Sequence, residues 1–117
     1  MSPWGAESFT WSGGEIMAEK WTSVEITRGL DELKGWRLEG GTIIKQYAFE
    51  SFPAAIGFVN RVADLAEAAD HHPDITINYR KVTMALSTHS AGGLTAKDFK
   101  LAGEMDDAAG KTGNQGR

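Results

Sequence analysis

Residues 36–69 read WRLEGGTIIKQYAFESFPAAIGFVNRVADLAEAA and divide into two strands followed by a helix. Trp36–Glu39 and Thr42–Phe49 are strands flanking Gly40-Gly41, a dipeptide that accepts the backbone angles of a tight hairpin turn. Ser51 is an N-cap, and the helix behind it runs to Ala69 with Phe52, Ile56, Val59, Ala63 and Ala66 on one apolar stripe.

Upstream, Thr22-Ser-Val-Glu25 fits a capping box, in which hydroxyl and carboxylate reciprocally satisfy free helix amides. Ile26, Leu30 and Leu33 recur at helical spacing, and Gly35 supplies the stop. Downstream, Pro73 forbids continuation of the long helix. Ile75 and Ile77 then alternate with Thr76 and Asn78, and Val82, Met84 and Leu86 alternate with Thr83, Ala85 and Ser87. The short connection around Tyr79–Lys81 predicts an antiparallel hairpin. After the break at Ser90-Ala-Gly-Gly, Thr95 caps a third helix, with Leu94 and Phe99 as a hydrophobic staple and Asp98 at the third helical position. The order αββαββα predicts an α+β fold: a four-stranded antiparallel sheet with helices packed on one face.

Residues 1–20 are Ser- and Gly-rich and aperiodic, with Trp4 and Trp11 in poor contexts for a core and Met17 as an alternative start. They read as a flexible N-terminal extension. Residues 109–117 read as a polar, Gly-rich, disordered tail. The folded unit expected between them is 21–108.

The whole chain has 117 residues, 41% of them hydrophobic, which suits one domain with a single modest core. It has no cysteine, hence no disulfide framework and no thiolate metal site. A net charge of −4 and a pI near 5.3 argue against direct nucleic-acid binding. No apolar run approaches the roughly 20 residues that span a bilayer, and the N-terminal residues lack the basic and apolar regions of a secretory signal. The expectation is a soluble, cytoplasmic protein.

The chemistry concentrates in the second half. All 3 histidines fall between residues 71 and 89, in a run of Glu67, His71-His72-Pro73, Tyr79, His89 and Asp98. Histidine both gives and takes protons near neutrality. Each residue also has a structural explanation. Imidazoles after a helix serve as C-terminal caps, Tyr79 as a turn aromatic, His89 as a solvated strand end, and Asp98 as a capping-box acid. A zinc site is a competing use of three histidines and a carboxylate. Against it, neighbours on extended backbone point in opposite directions, and no H-x3-H or H-E-x2-H pairing is present.

The joint spacing, E-x3-H-H-P-x5-Y-x9-H-x8-D, resembles the signature of the pterin-4a-carbinolamine dehydratase family. Leu30-x2-Leu33-x-Gly35-Trp36, Phe49-x2-Phe52, Ser87-Thr88-His89 and Gly93-Leu94-Thr95 extend the resemblance over nearly all of residues 22–108. It implies dehydration of a 4a-hydroxytetrahydropterin to a quinonoid dihydropterin, a pair of proton transfers that imidazoles perform without a metal or redox cofactor. By the same resemblance His71 and His89 transfer protons, His72 orients the substrate and Pro73 fixes the loop. Glu67, one helical turn before His71, is expected to reach its ring, and Asp98 to anchor His89 or the Gly92-Gly93 loop. The resemblance further implies functional coupling to a pterin-dependent aromatic amino acid hydroxylase and assembly as a homodimer or homotetramer. An alternative is a non-catalytic interaction protein, since relatives of this fold act as a dimerisation cofactor for a transcription factor or assist assembly of a carbon-fixation enzyme.

Overall fold

A computed structural model describes residues 19–111, in which three helices pack on one face of a four-stranded antiparallel sheet. The elements in chain order are α1 (Ser23–Asp31), β1 (Arg37–Glu39), β2 (Thr42–Ala48), α2 (Phe52–Ala69), β3 (Asp74–Asn78), β4 (Lys81–Leu86), a 3₁₀ turn (His89–Ala91) and α3 (Ala96–Lys111). Trp4, Trp11 and Met17 lie outside the described residues.

The helix starts follow their local chemistry. Thr22 and Glu25 form the reciprocal capping box, with Thr22 N–H donating to Glu25 Oε1 at 2.8 Å and Glu25 N–H to Thr22 Oγ1 at 3.2 Å. Ser51 Oγ accepts from Ala54 N–H at 3.1 Å, a cap that contributes about 1 kcal/mol. Gly35 and Gly40 both take positive φ, +88° and +62°, where a side chain would be strained.

The strands lie in the order β1-β2-β4-β3. The two hairpins therefore pair through β2 and β4, with Ile43 opposite Leu86 and Tyr47 opposite Val82. Ile43, Tyr47, Val82, Met84 and Leu86 share the helix-side face and are buried with Phe58, Val62, Phe99, Leu101 and Met105 from α2 and α3. Tyr47, Phe49 and Phe58 form an aromatic knot with ring centroids 4.7 to 6.3 Å apart. On α1, a Cβ on Gly29 would come within 2.6 Å of the Phe99 ring. Trp21 stacks on that same ring at 4.6 Å.

Two expectations shift. The buried stripe of α2 is Ala55, Phe58, Val62 and Ala66, whereas Phe52 and Ala63 are exposed. Apolar residues occupy most of the circumference of α2, so periodicity alone does not choose which side meets the sheet. Second, α3 continues through Ala109, Gly110 and Lys111, where the sequence pointed to the tail. Ala109 is buried and extends the packing of α3 by one further position.

A half-buried carboxylate ties the core to α3 on the helix side. Asp106 on α3 accepts from Tyr47 Oη at 2.6 Å, Lys45 Nζ at 2.9 Å and Trp36 Nε1 at 3.2 Å. Burial, reinforced by the hydrogen bond to Asp106 and by its charge, pushes the Tyr47 phenol far above its ordinary value.

Candidate active site

The β3–β4 hairpin assembles the site. At about 3.3 Å per residue, β3 carries the chain roughly 17 Å from His71-His72-Pro73, and β4 brings it back. The pairing of Asp74 with Ala85 sets the exit of α2 beside the segment Leu86–His89. Tyr79 lies in the turn at the far end of this hairpin. It is exposed, takes φ +58°, and has the Arg80 guanidinium 5.4 Å from its ring centre. The structure thus separates Tyr79 from the histidines.

The end of α2 points the two adjacent histidines in different directions. Asp70 takes a left-handed conformation, φ 52° and ψ 45°, and the N–H of His71 returns to the Ala66 carbonyl at 3.0 Å. This closure turns His71 inward, where it is buried. His72 is left outside, half-exposed, with Nε2 2.6 Å from Glu67 Oε2. Glu67 therefore partners His72 and not His71. The reversal at Asp70 ends the helical relation in which a residue faces the one four positions on.

Asp98 is the partner of His71. Its Oδ1 lies 2.5 Å from His71 Nε2, and it is fully buried. Its Oδ2 accepts from Thr88 Oγ1 at 2.8 Å and from the Thr95 N–H at 3.0 Å. One carboxylate thus serves both the start of α3 and an imidazole on the opposite side of the site. Asp98 forms no hydrogen bond with the His89 ring or the Gly92-Gly93 loop; its partners among the described residues are His71, Thr88 and Thr95. That loop is held by Thr88, whose N–H donates to Gly93 O at 2.9 Å and whose carbonyl accepts from Gly93 N–H at 3.3 Å.

His89 begins the 3₁₀ turn, beyond the end of β4; its carbonyl accepts from Gly92 N–H at 3.0 Å, while its exposed ring has no hydrogen-bond partner among the described residues. Its neighbour Thr88 is bonded to Asp98, so His71 and His89 flank the same buried carboxylate assembly. His71 Nδ1 also has no hydrogen-bond partner among the described residues. Since no enclosed side-chain nitrogen or oxygen among the described residues lacks one, Nδ1 lies at the accessible edge of the ring. Pro73 is half-buried at the start of β3. The sequence marks Thr95 as a helix cap and Thr88 as part of the family resemblance, but neither as a partner in the buried Asp98 cluster, because a threonine at a strand end or cap carries no distinctive spacing. No group of three or more metal-ligating side chains occurs among the described residues.

This architecture is the pterin dehydratase fold. A crystal structure from Brucella melitensis, described as a transcriptional coactivator/pterin dehydratase, aligns with a TM-score of 0.75 at 35% identity, over 78% of this chain and 99% of that one. The family model for pterin 4 alpha carbinolamine dehydratase matches residues 19–108, and the chain belongs to that family. A relative from Roseiflexus castenholzii, provisionally named pterin-4-alpha-carbinolamine dehydratase, is 55% identical over 91 residues, 78% of this chain and 98% of its own. One from Chloroflexus aurantiacus with the same provisional name is 51% identical over 89 residues, 76% of this chain and 96% of its own. A pterin dehydratase-like protein identified as a RuBisCO assembly factor in the alpha-carboxysome aligns at 26% identity with a TM-score of 0.57, over 65% of this chain and 90% of that one.

Proposed function

We propose that the chain dehydrates a 4a-hydroxytetrahydropterin by histidine acid–base catalysis. A proton goes to the departing C4a hydroxyl, which leaves as water. The N5 proton is removed, and its electron pair forms the C4a=N5 bond of a quinonoid dihydropterin. No electron leaves or enters the system, so two imidazoles suffice. The observation that carries the reading is the buried His71–Asp98 pair, with Nδ1 accessible, beside a His89 ring that has no hydrogen-bond partner among the described residues. A neighbouring carboxylate orients an imidazole and supports its charged form during proton transfer. His72, held at the surface by Glu67, suits substrate orientation, and Pro73 fixes the backbone between them.

Positioned acid–base groups supply about 10²- to 10⁴-fold, enough for a carbinolamine that already loses water readily. The product is the form a pterin-dependent hydroxylase must have recycled, so the reading includes that coupling. The test follows decay of chemically generated 4a-hydroxytetrahydropterin by ultraviolet absorbance with and without protein. An unchanged decay rate sinks the enzymatic reading and leaves the interaction role, which a relative at 26% identity illustrates.

Self-association belongs to the same reading. Ile75 and Ile77 lie on the helix side of the edge strand β3, opposite Met84 and Val82, yet are 37% and 41% exposed. An apolar, unpaired edge favours pairing with a second copy. Light scattering that returns a monomer mass at micromolar concentration overturns the dimer or tetramer.

A further inference from the structure

The hydroxyl groups behind Asp98 have a direction. Thr95 Oγ1 accepts from the Lys97 N–H at 3.2 Å and lies 2.9 Å from Thr88 Oγ1. Thr88 Oγ1 lies 2.8 Å from Asp98 Oδ2 and has a single proton to give. A carboxylate is acceptor-only, so that proton goes to Asp98, and Thr95 must in turn donate to Thr88. The chain runs one way, from Lys97 N–H through Thr95 and Thr88 to Oδ2, where the Thr95 N–H also arrives. Thr88, Thr95 and Asp98 are all buried, and no enclosed polar atom there lacks a partner.

We infer that Thr88 is a positioning residue. Its hydroxyl fills Asp98 Oδ2 and leaves Oδ1 to accept from His71, so the neutral imidazole carries its proton on Nε2 and presents a bare Nδ1 at the accessible edge. This rests on the reading of His71 as a proton carrier and assigns the atom: Nδ1 takes the substrate proton. Through its backbone bridge to Gly93, Thr88 also holds the turn that begins at His89, so one residue sets the placement of both imidazoles. Networks of this kind are sensitive to the loss of one member, because the group left behind is buried and unpaired.

The test combines nitrogen-15 NMR of the His71 ring, at a pH where it is neutral, with the decay assay on wild type, Thr88→Val and Thr88→Ser. The wild-type ring is expected as the Nε2–H tautomer. Thr88→Val keeps the shape but removes the donor. It is expected to let the Asp98 carboxylate turn from its place against His71, to shift the ring nitrogen resonances, and to lower kcat/KM by about tenfold, part of the 10²- to 10⁴-fold that an acid–base group supplies. Thr88→Ser is expected to restore both readouts. A wild-type Nδ1–H tautomer overturns the inference, as does a Thr88→Val protein with unchanged ring nitrogen resonances and rate. Should Thr88→Val fail to fold, the wild-type spectrum still decides the tautomer, and a Thr88→Ser protein that folds but keeps neither readout overturns the role of the hydroxyl. An inactive wild-type protein with the Nε2–H tautomer instead removes the proposed reaction and leaves the geometry standing.

Discussion

His71 and Asp98 are 27 residues apart in sequence, and His71 Nε2 lies 2.5 Å from Asp98 Oδ1, with both side chains buried. Asp98→Asn replaces one acceptor oxygen by a donor, so either the His71 contact or both threonine contacts set a donor against a donor. The expected result is a fall in kcat/KM of about 10²-fold and a loss of stability of about 1–3 kcal/mol. Steady-state decay kinetics and thermal melting measure the two effects; an unaltered rate removes Asp98 from the site.

The two proton-carrying candidates should separate in stability while agreeing in activity. His89→Ala removes an exposed ring without a hydrogen bond, so stability is expected to change by less than about 0.5 kcal/mol. His71→Ala strands Asp98 Oδ1 in the interior and is expected to cost about 1–3 kcal/mol. Each variant should lose about 10²- to 10⁴-fold in kcat/KM. A double variant with full activity would remove both residues from the reaction.

The Glu67–His72 contact lies in water, with side chains 77% and 57% exposed. Solvent screening leaves such pairs weak. Glu67→Gln is expected to leave the melting temperature within the shift that about 0.5 kcal/mol produces. Its effect belongs on KM, as a loss of substrate orientation by His72, and a fall confined to kcat would contradict that role.

Gly29→Ala tests the close approach of α1 to α3. Alanine is the better helix former by about 1 kcal/mol, yet its Cβ would meet the Phe99 ring at 2.6 Å and Trp21 at 3.0 Å. Phe99 is fully buried and stacked on Trp21, so it has no free direction in which to yield. Overpacking of this kind costs about 1–3 kcal/mol, and net destabilisation is expected in denaturant unfolding. A stabilised protein would show that α1 moves away without cost.

Tyr47 should set the alkaline limit of stability. The phenol in the fold is raised far above the value of about 10 that an unfolded tyrosine has. The folded state therefore holds its proton more tightly, and the stabilisation is complete below about pH 10 and declines as pH rises above it. The chain has 2 tyrosines, and Tyr79 is exposed. Alkaline absorbance titration should show the Tyr47 phenol ionising only on unfolding. Tyr47→Phe should flatten the alkaline decline, while losing about 1 kcal/mol at neutral pH with its hydrogen bond to Asp106.

Much of this was readable along the chain. The Thr22–Glu25 box, the Ser51 cap, the α2 end at Ala69 and the alternating β4 all depend on residues within a few positions of one another, and they stand where local chemistry puts them. The interval pattern through Glu67, His71 and Asp98 also led to the family that the comparisons show. Pairings within the pattern were less accessible. Glu67 had the right helical spacing for His71, but a left-handed Asp70 handed it His72. Asp98 sat three residues after a capping threonine, and nothing local distinguishes a cap acid from one that also holds an imidazole 27 residues away.

Helix starts and strand alternation thus follow from contacts a few residues long, whose energies the chain carries wherever it goes. The buried side of α2, the meeting of Tyr47 with Asp106 and the direction of the Thr95–Thr88–Asp98 chain do not. These depend on which surfaces the β1-β2-β4-β3 order brings together. A buried polar atom takes whatever partner packing delivers, because leaving it unpaired costs more than any local preference saves.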